Sequence, residues 1–207
     1  MLCFCCILKK VVLLYFLQIV KRNLRITDLR RSLTRKSARE VLESMLREEV
    51  LERALRSYQA YYDVDMESPE EPFVAEAAFH SHDDAYFLVK GATIGEAESN
   101  EYVFFASVEE LSEGLLRELD EAAWEKGTSR VKPHVHHRNT DVTLIVIADR
   151  VEEAAQKATR SLKHYKNYRM SLQGFSHYHL IVVDVSTGEK FCNRQGQDLK
   201  KIFNNIL

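Results

Sequence analysis

Residues 142–148 read VTLIVIA, a run that is apolar on both of its alternating faces. Successive side chains of a strand point to opposite sides, so this segment must be covered twice. It belongs in the middle of a sheet with a helix packed against it. The rest of the chain is then read for the strands that flank it and the helices that cover it.

Ser37 to Glu40 (SARE) has the spacing of a capping box, in which each side chain satisfies a backbone group left free at a helix start. Behind it Val41, Leu42, Met45, Leu46, Val50, Leu51, Ala54, Leu55 and Tyr58 recur at helical spacing, and the helix is expected to end near Tyr61. The acidic stretch from Asp63 to Pro72 reads as a loop, followed by strands over 74–80, 85–90 and 101–106. Ser107 to Glu110 repeats the capping pattern, Leu111, Leu115, Leu119 and Ala122 form a stripe, and Gly127 is placed to stop that helix. After the central run Asp149 opens a third helix, with Val151, Ala155, Ala158 and Leu162 inward. Strands are expected over 170–173, 179–185 and 190–193, the last two joined by a turn at Ser186 to Glu189. Leu199, Ile202, Phe203 and Ile206 close the chain as a helix. The order is α-βββ-α-β-α-βββ-α. It describes a single α/β or α+β domain over residues 37–207, a mixed sheet flanked by helices.

Charge is divided unevenly along the 207 residues: residues 1–36 carry a net +8 and the remainder a net −10. Nucleic-acid-binding domains draw their positive field from the folded surface, so an acidic body is not typical of them. Cys3, Cys5 and Cys6 crowd the leader and Cys192 stands alone in the body, so no disulfide framework is expected and a cytoplasmic setting follows. Lys9 and Lys10 cut the leader's apolar stretch, leaving ten residues from Val11 to Val20, where a spanning helix needs about 20. Its charge and small-residue pattern do not suit a signal peptide. The leader is read as lying outside the folded domain. Membrane-surface association through residues 1–36, with cysteines for acylation, is the rival reading.

Several short pieces carry a likeness. They are Tyr62-Asp63-Val64, Glu101 to Phe104 (EYVF), His137 to Thr140 (HRNT) leading into the central run, Gly174-Phe175-Ser176, and Asn193 to Gly196 (NRQG). With these, residues 51–203 resemble an uncharacterised domain family of clostridia-like bacteria. The resemblance implies a bacterial protein and brings no activity with it.

Three His-x-His pairs, His80/His82, His134/His136 and His177/His179, account for six of the eight histidines. Residues two apart on a strand share a face, so two pairs on neighbouring strands would offer four nitrogens to zinc or manganese. Asp83, Asp84 and Asp141 stand beside the pairs as oxygen ligands or as acceptors behind them. Polar residues also alternate on any wet strand face, and no His-Glu-x-x-His helix is present. Residues 131–141 are therefore read first as a loop into a buried strand.

Two further candidates remain. The element order from Ser37 to Ala148 resembles the core of restriction-endonuclease-like nucleases. That family places an acid on its second strand and Glu-x-Lys on its third, to hold Mg²⁺ and activate water. Asp84 and Glu101 open the corresponding strands, but Val103 stands where the lysine belongs. The segment RSLKHYKNYR interleaves Arg160, Lys163, Lys166 and Arg169 with Tyr165 and Tyr168, as an anion-binding face would. The function expected is a binding or regulatory module with a protein or polyanion partner. The rival class is a metal-dependent hydrolase or nuclease-like enzyme.

Overall fold

The structure, a computed structural model, describes the backbone of residues 35–86 and 93–207, and the side chains of residues 43–81 and 98–207. The leader up to residue 34 lies outside the described residues, as do the side chains of His82, Asp83 and Asp84. Contacts group the chain into Met1–Leu42 and Glu43–Leu207, and the second unit holds the whole sheet. Its elements are α1 (Arg35–Tyr58), β1 (Asp63–Asp65), β2 (Ala75–Tyr86), β3 (Thr93–Leu111), α2 (Glu113–Ser129), β4 (His137–Val151) and α3 (Glu153–Ser161). Then come β5 (Tyr165–Asn167), β6 (Phe175–Asp184), β7 (Lys190–Cys192), a 3₁₀ turn (Gln195–Asp198) and α4 (Leu199–Ile206). This is an α+β fold with the expected element order. Among the described residues no helix is long and apolar enough to cross a membrane.

The sheet runs β1-β2-β3-β4-β6-β5, with β7 also on β6. Its first three strands are antiparallel, whereas β3, β4 and β6 are parallel. The central run lies on β4 between two parallel neighbours and divides its side chains between two cores. Val142, Leu144 and Val146 join Leu116, Leu119 and Ala123 of α2 and Ala155 and Ala158 of α3. Ile145 and Ile147 join Val50, Ala54 and Tyr58 of α1 and Leu199, Phe203 and Ile206 of α4. Both parallel connections, through α2 and through α3, thus lie on one side of the sheet, as the fixed hand of such crossovers requires.

Several element boundaries differ from expectation. Asp63–Asp65, read as loop, pairs with β2. The polar residues His80 to Asp84 do not break the strand, because β3 satisfies their backbone throughout, and one strand replaces two. Ser107 is no helix cap: β3 continues to Leu111, and Ser112 caps α2 by accepting the Leu115 N–H at 3.2 Å. Asp149 likewise stays in β4, buried and ion-paired with Arg47 of α1. Ser37 sits inside α1, already formed at Arg35. Gly127 lies within α2, where an added Cβ would stand 2.6 Å from a Val142 methyl. Residues 170–173 turn, and the strands on either side are β5 and β6.

Candidate functional site

Odd-numbered side chains of β3, β4 and β6 share the face covered by α1 and α4, and register sets them in rows. The row Phe105–Ile145–Ile181 is fully buried. Toward the strand starts the next row is Val103–Thr143–His179, where burial begins to fail. Beyond it the row Phe79–Glu101–Asp141–His177–Tyr165 crosses five strands with no buried member. The row Ser81–Ser99–Asn139–Phe175–Asn167 repeats this. One half of this face is core, and the other is a half-exposed surface of rings, carboxylates and amides.

The polar groups of the open half are organised. Glu101 accepts from the Tyr62 hydroxyl at 2.6 Å and from the Thr143 hydroxyl at 2.8 Å, so both oxygens are held. Asn139 donates to Asp141 Oδ2 at 3.2 Å and accepts from Ser99 Oγ at 2.9 Å. The other oxygen of Asp141 lies 3.8 Å from His179 Nε2. At the β5 side Phe175, His177 and Tyr165 form a ledge of rings, with centroids 4.8 Å apart for Phe175–His177 and 5.3 Å for Tyr165–His177. Burial, then the charge of Glu101 and its hydrogen bond, push the Tyr62 phenol far above its ordinary range, so it remains a donor. For His179 burial acts against the charged ring, but the neighbouring Asp141 carboxylate, helped by the charge of Glu101, outweighs it and raises the pKa from 6.5. The surface therefore offers fixed acceptors beside flat faces.

The histidine pairs go to three separate places. His177 and His179 share the open face, as strand spacing requires. His80 is on β2, its Nδ1 2.6 Å from Asn100 Oδ1. β2 is separated from β6 by two strands. His134 and His136 lie in the loop before β4. His134 Nε2 is 2.8 Å from Glu98, and its Nδ1 accepts the His136 N–H at 3.2 Å. Among the described residues no three His, Cys, Asp or Glu side chains gather to hold a metal ion. The acidic pair is also apart: Asp84 sits opposite Glu96 and Glu101 opposite Phe79, five strand positions or roughly 16 Å along the strand. Of the cations, Arg160 turns to Phe191 on β7, Lys166 lies within β5, and Lys163 and Arg169 flank that strand. His164 between them points inward, 2.7 Å from Asp120 and stacked on Trp124 at 5.1 Å.

The partners missed by motif are Asp141's neighbours and the ring ledge. A signal was present, since Asn139, Asp141 and Thr143 alternate just before the apolar run. The family described as a domain of unknown function (DUF8052) matches residues 46–205, and the chain belongs to it. No curated protein and no solved structure matches the chain. The segments that carried the resemblance meet in space. Tyr62 bonds Glu101 and Gly174 seats against His137, while within their own segments His137 bonds Thr140 at 2.9 Å and Asn193 accepts the N–H of Gly196 at 2.8 Å.

Proposed function

We propose that the open half of the sheet is a ligand platform and that the protein is a binding module for nucleotides or single-stranded nucleic acid. The observation that carries this is the row Phe79–Glu101–Asp141–His177–Tyr165, aligned across five strands at partial exposure on a face whose other half is sealed. Rings with open faces accept stacked bases regardless of sequence. Asp141, with one oxygen 3.8 Å from its nearest cation, can accept a base N–H. Lys163 and Arg169, both exposed, lie two and four residues from Tyr165 along the chain and suit phosphate, while Lys166 between them faces the other side of β5. The acidic body limits how long a polyanion it tolerates, which favours a short strand over a duplex. A reducing cytoplasmic setting accompanies this reading, supported by the free, buried thiol of Cys192.

Fluorescence anisotropy with the full chain and a labelled single strand of about 12 nucleotides tests it. Saturable binding is expected, weakened about ten-fold by Tyr165→Ala, as loss of one stacked base predicts. Binding indifferent to Tyr165→Ala and Asp141→Ala would reject the platform.

A metal-dependent reading keeps one specific support, the register pairing of Glu101 and Asp141 on adjacent strands, though no third donor gathers with them among the described residues. Calorimetric titration of Mn²⁺ or Zn²⁺ decides it. That reading needs near-stoichiometric binding lost in Asp141→Asn.

A further inference from the structure

Among the described residues the four most exposed large apolar side chains are Met170 at 88%, Tyr61 at 79%, Leu172 at 78% and Val135 at 75%. Three of the four sit on two loops, residues 131–136 and 168–174, which lead into β4 and β6.

The loops are fastened together. His137 is buried and donates from Nδ1 to the Gln173 carbonyl at 2.7 Å, while Tyr168 packs its ring 5.7 Å away. Gly174, at φ 82°, fits so closely that an added Cβ would lie 2.6 Å from the His137 carbonyl oxygen. Val135 stands two residues from one end of this tie and Leu172 one residue from the other.

Backbone conformation holds Met170 outward. Arg169, Met170 and Ser171 have φ of 47°, 56° and 66°, the left-handed region that L residues rarely enter in succession. The turn is closed by Leu172 N–H to the Arg169 carbonyl and Gln173 N–H to the Tyr168 carbonyl, both 3.1 Å. Local strain of this kind tends to mark function.

The two loops are basic within an acidic body, with Glu98, Glu101 and Asp141 on the strands beside them. Residues 126–140 and 154–183 contain no Asp or Glu. Lys132, Arg138, Lys163, Lys166 and Arg169 on these segments are all exposed. Glu98 reaches the loops from β3 and is engaged by His134 at 2.8 Å.

From these observations we infer that the β4–β6 loop end docks on an anionic lipid surface, with Val135, Met170 and Leu172 entering the headgroup boundary and the surrounding cations meeting lipid phosphates and carboxylates. Apolar tips ringed by cations match such a surface on both counts. A polyanion in solution would use the cations and leave the apolar tips in water. The inference is independent of the sheet-face reading and shares only the cations near β5 with it.

Sedimentation of the full chain with phosphatidylcholine vesicles, and with phosphatidylcholine–phosphatidylserine vesicles, provides the test. Residues 1–34 are common to every variant, so differences report on the loops. The wild type is expected to bind the anionic vesicles in a salt-sensitive way, and Met170→Ser/Leu172→Ser to lose about ten-fold in affinity. Lys166→Glu/Arg169→Glu should reduce anionic binding as well. Both side chains of the serine variant are solvent-exposed, so its circular dichroism should match the wild type. Equal binding by wild type and serine variant, or no binding to either vesicle, would overturn the inference. So would an effect of the serine pair confined to self-association in sedimentation velocity.

Discussion

The covered and open halves of the α1/α4 face are made from the same three parallel strands, yet they behave as different materials. On β4, Ile145 and Ile147 are fully buried beneath helices, while Asn139 and Asp141 a few positions earlier stand partly in water. On β3 the change falls between Glu101 and Val103, and on β6 it falls one row later, between His179 and Ile181. The three strands switch within one row of each other because register makes them neighbours, so a boundary with a single step crosses the sheet. The opposite face shows no such boundary on β4 and β6: Thr140 and Ser176 are as buried as Leu144 and Leu180. Polar side chains are thus fully packed on one face of these strands and only partly covered on the other.

The contrast should be largest in stability. Ile145→Ala is expected to cost about 3–4 kcal/mol, because a fully buried side chain leaves a cavity between rigid neighbours. Asp141→Ala on the same strand and face should cost no more than about 1 kcal/mol. Urea denaturation of both variants measures the gap, and equal losses would make the two halves one core.

A smaller effect is expected at the boundary itself. Tyr62 packs against Tyr58 and Phe79 while its hydroxyl holds Glu101, so it belongs to both halves. Tyr62→Phe keeps the packing and removes one donor from a partly buried carboxylate, at an expected cost of about 1–2 kcal/mol. A loss near zero would show that water replaces the hydroxyl, and that the open half reaches deeper than its residues suggest.

The finest test uses pH. His179 has a folded pKa raised above 6.5, so its protonated ring contributes stability that is fully present below that value and is lost as pH rises through the raised one. Between about pH 6 and pH 8 the wild-type denaturation midpoint should therefore decline more steeply than that of His179→Gln. Parallel profiles would remove His179 from the electrostatics of the open half.

Sequence reading reached the fold class through one segment and lost the boundaries through another. VTLIVIA could only be central, because no one-sided burial satisfies both its faces. Ser107 to Glu110 satisfied the capping pattern, but pairing with β4 continues to Leu111 opposite Val151 and the strand prevailed; the true cap, Ser112, has Leu115 where the box expects an acid. Among the histidines, spacing drew attention to His134 and His136, whereas His137, outside any pair, is buried and locks two loops. The open half was least legible. Asp141 and Glu101 are 40 residues apart in the chain, and only a helical crossover fixing parallel register brings them side by side.

Gly127 gives α2 an unusually close seat on the sheet, with Val142 beneath it. Val142 separates Asp141 from Thr143 on a strand one residue thick, so the helix on one side and the polar surface on the other press on the same few atoms. A displacement of β4 by a few tenths of an ångström at Asp141 meets α2 directly, with no soft side chain between to absorb it. A side chain added at Gly127 would therefore push on the very strand that carries Asp141.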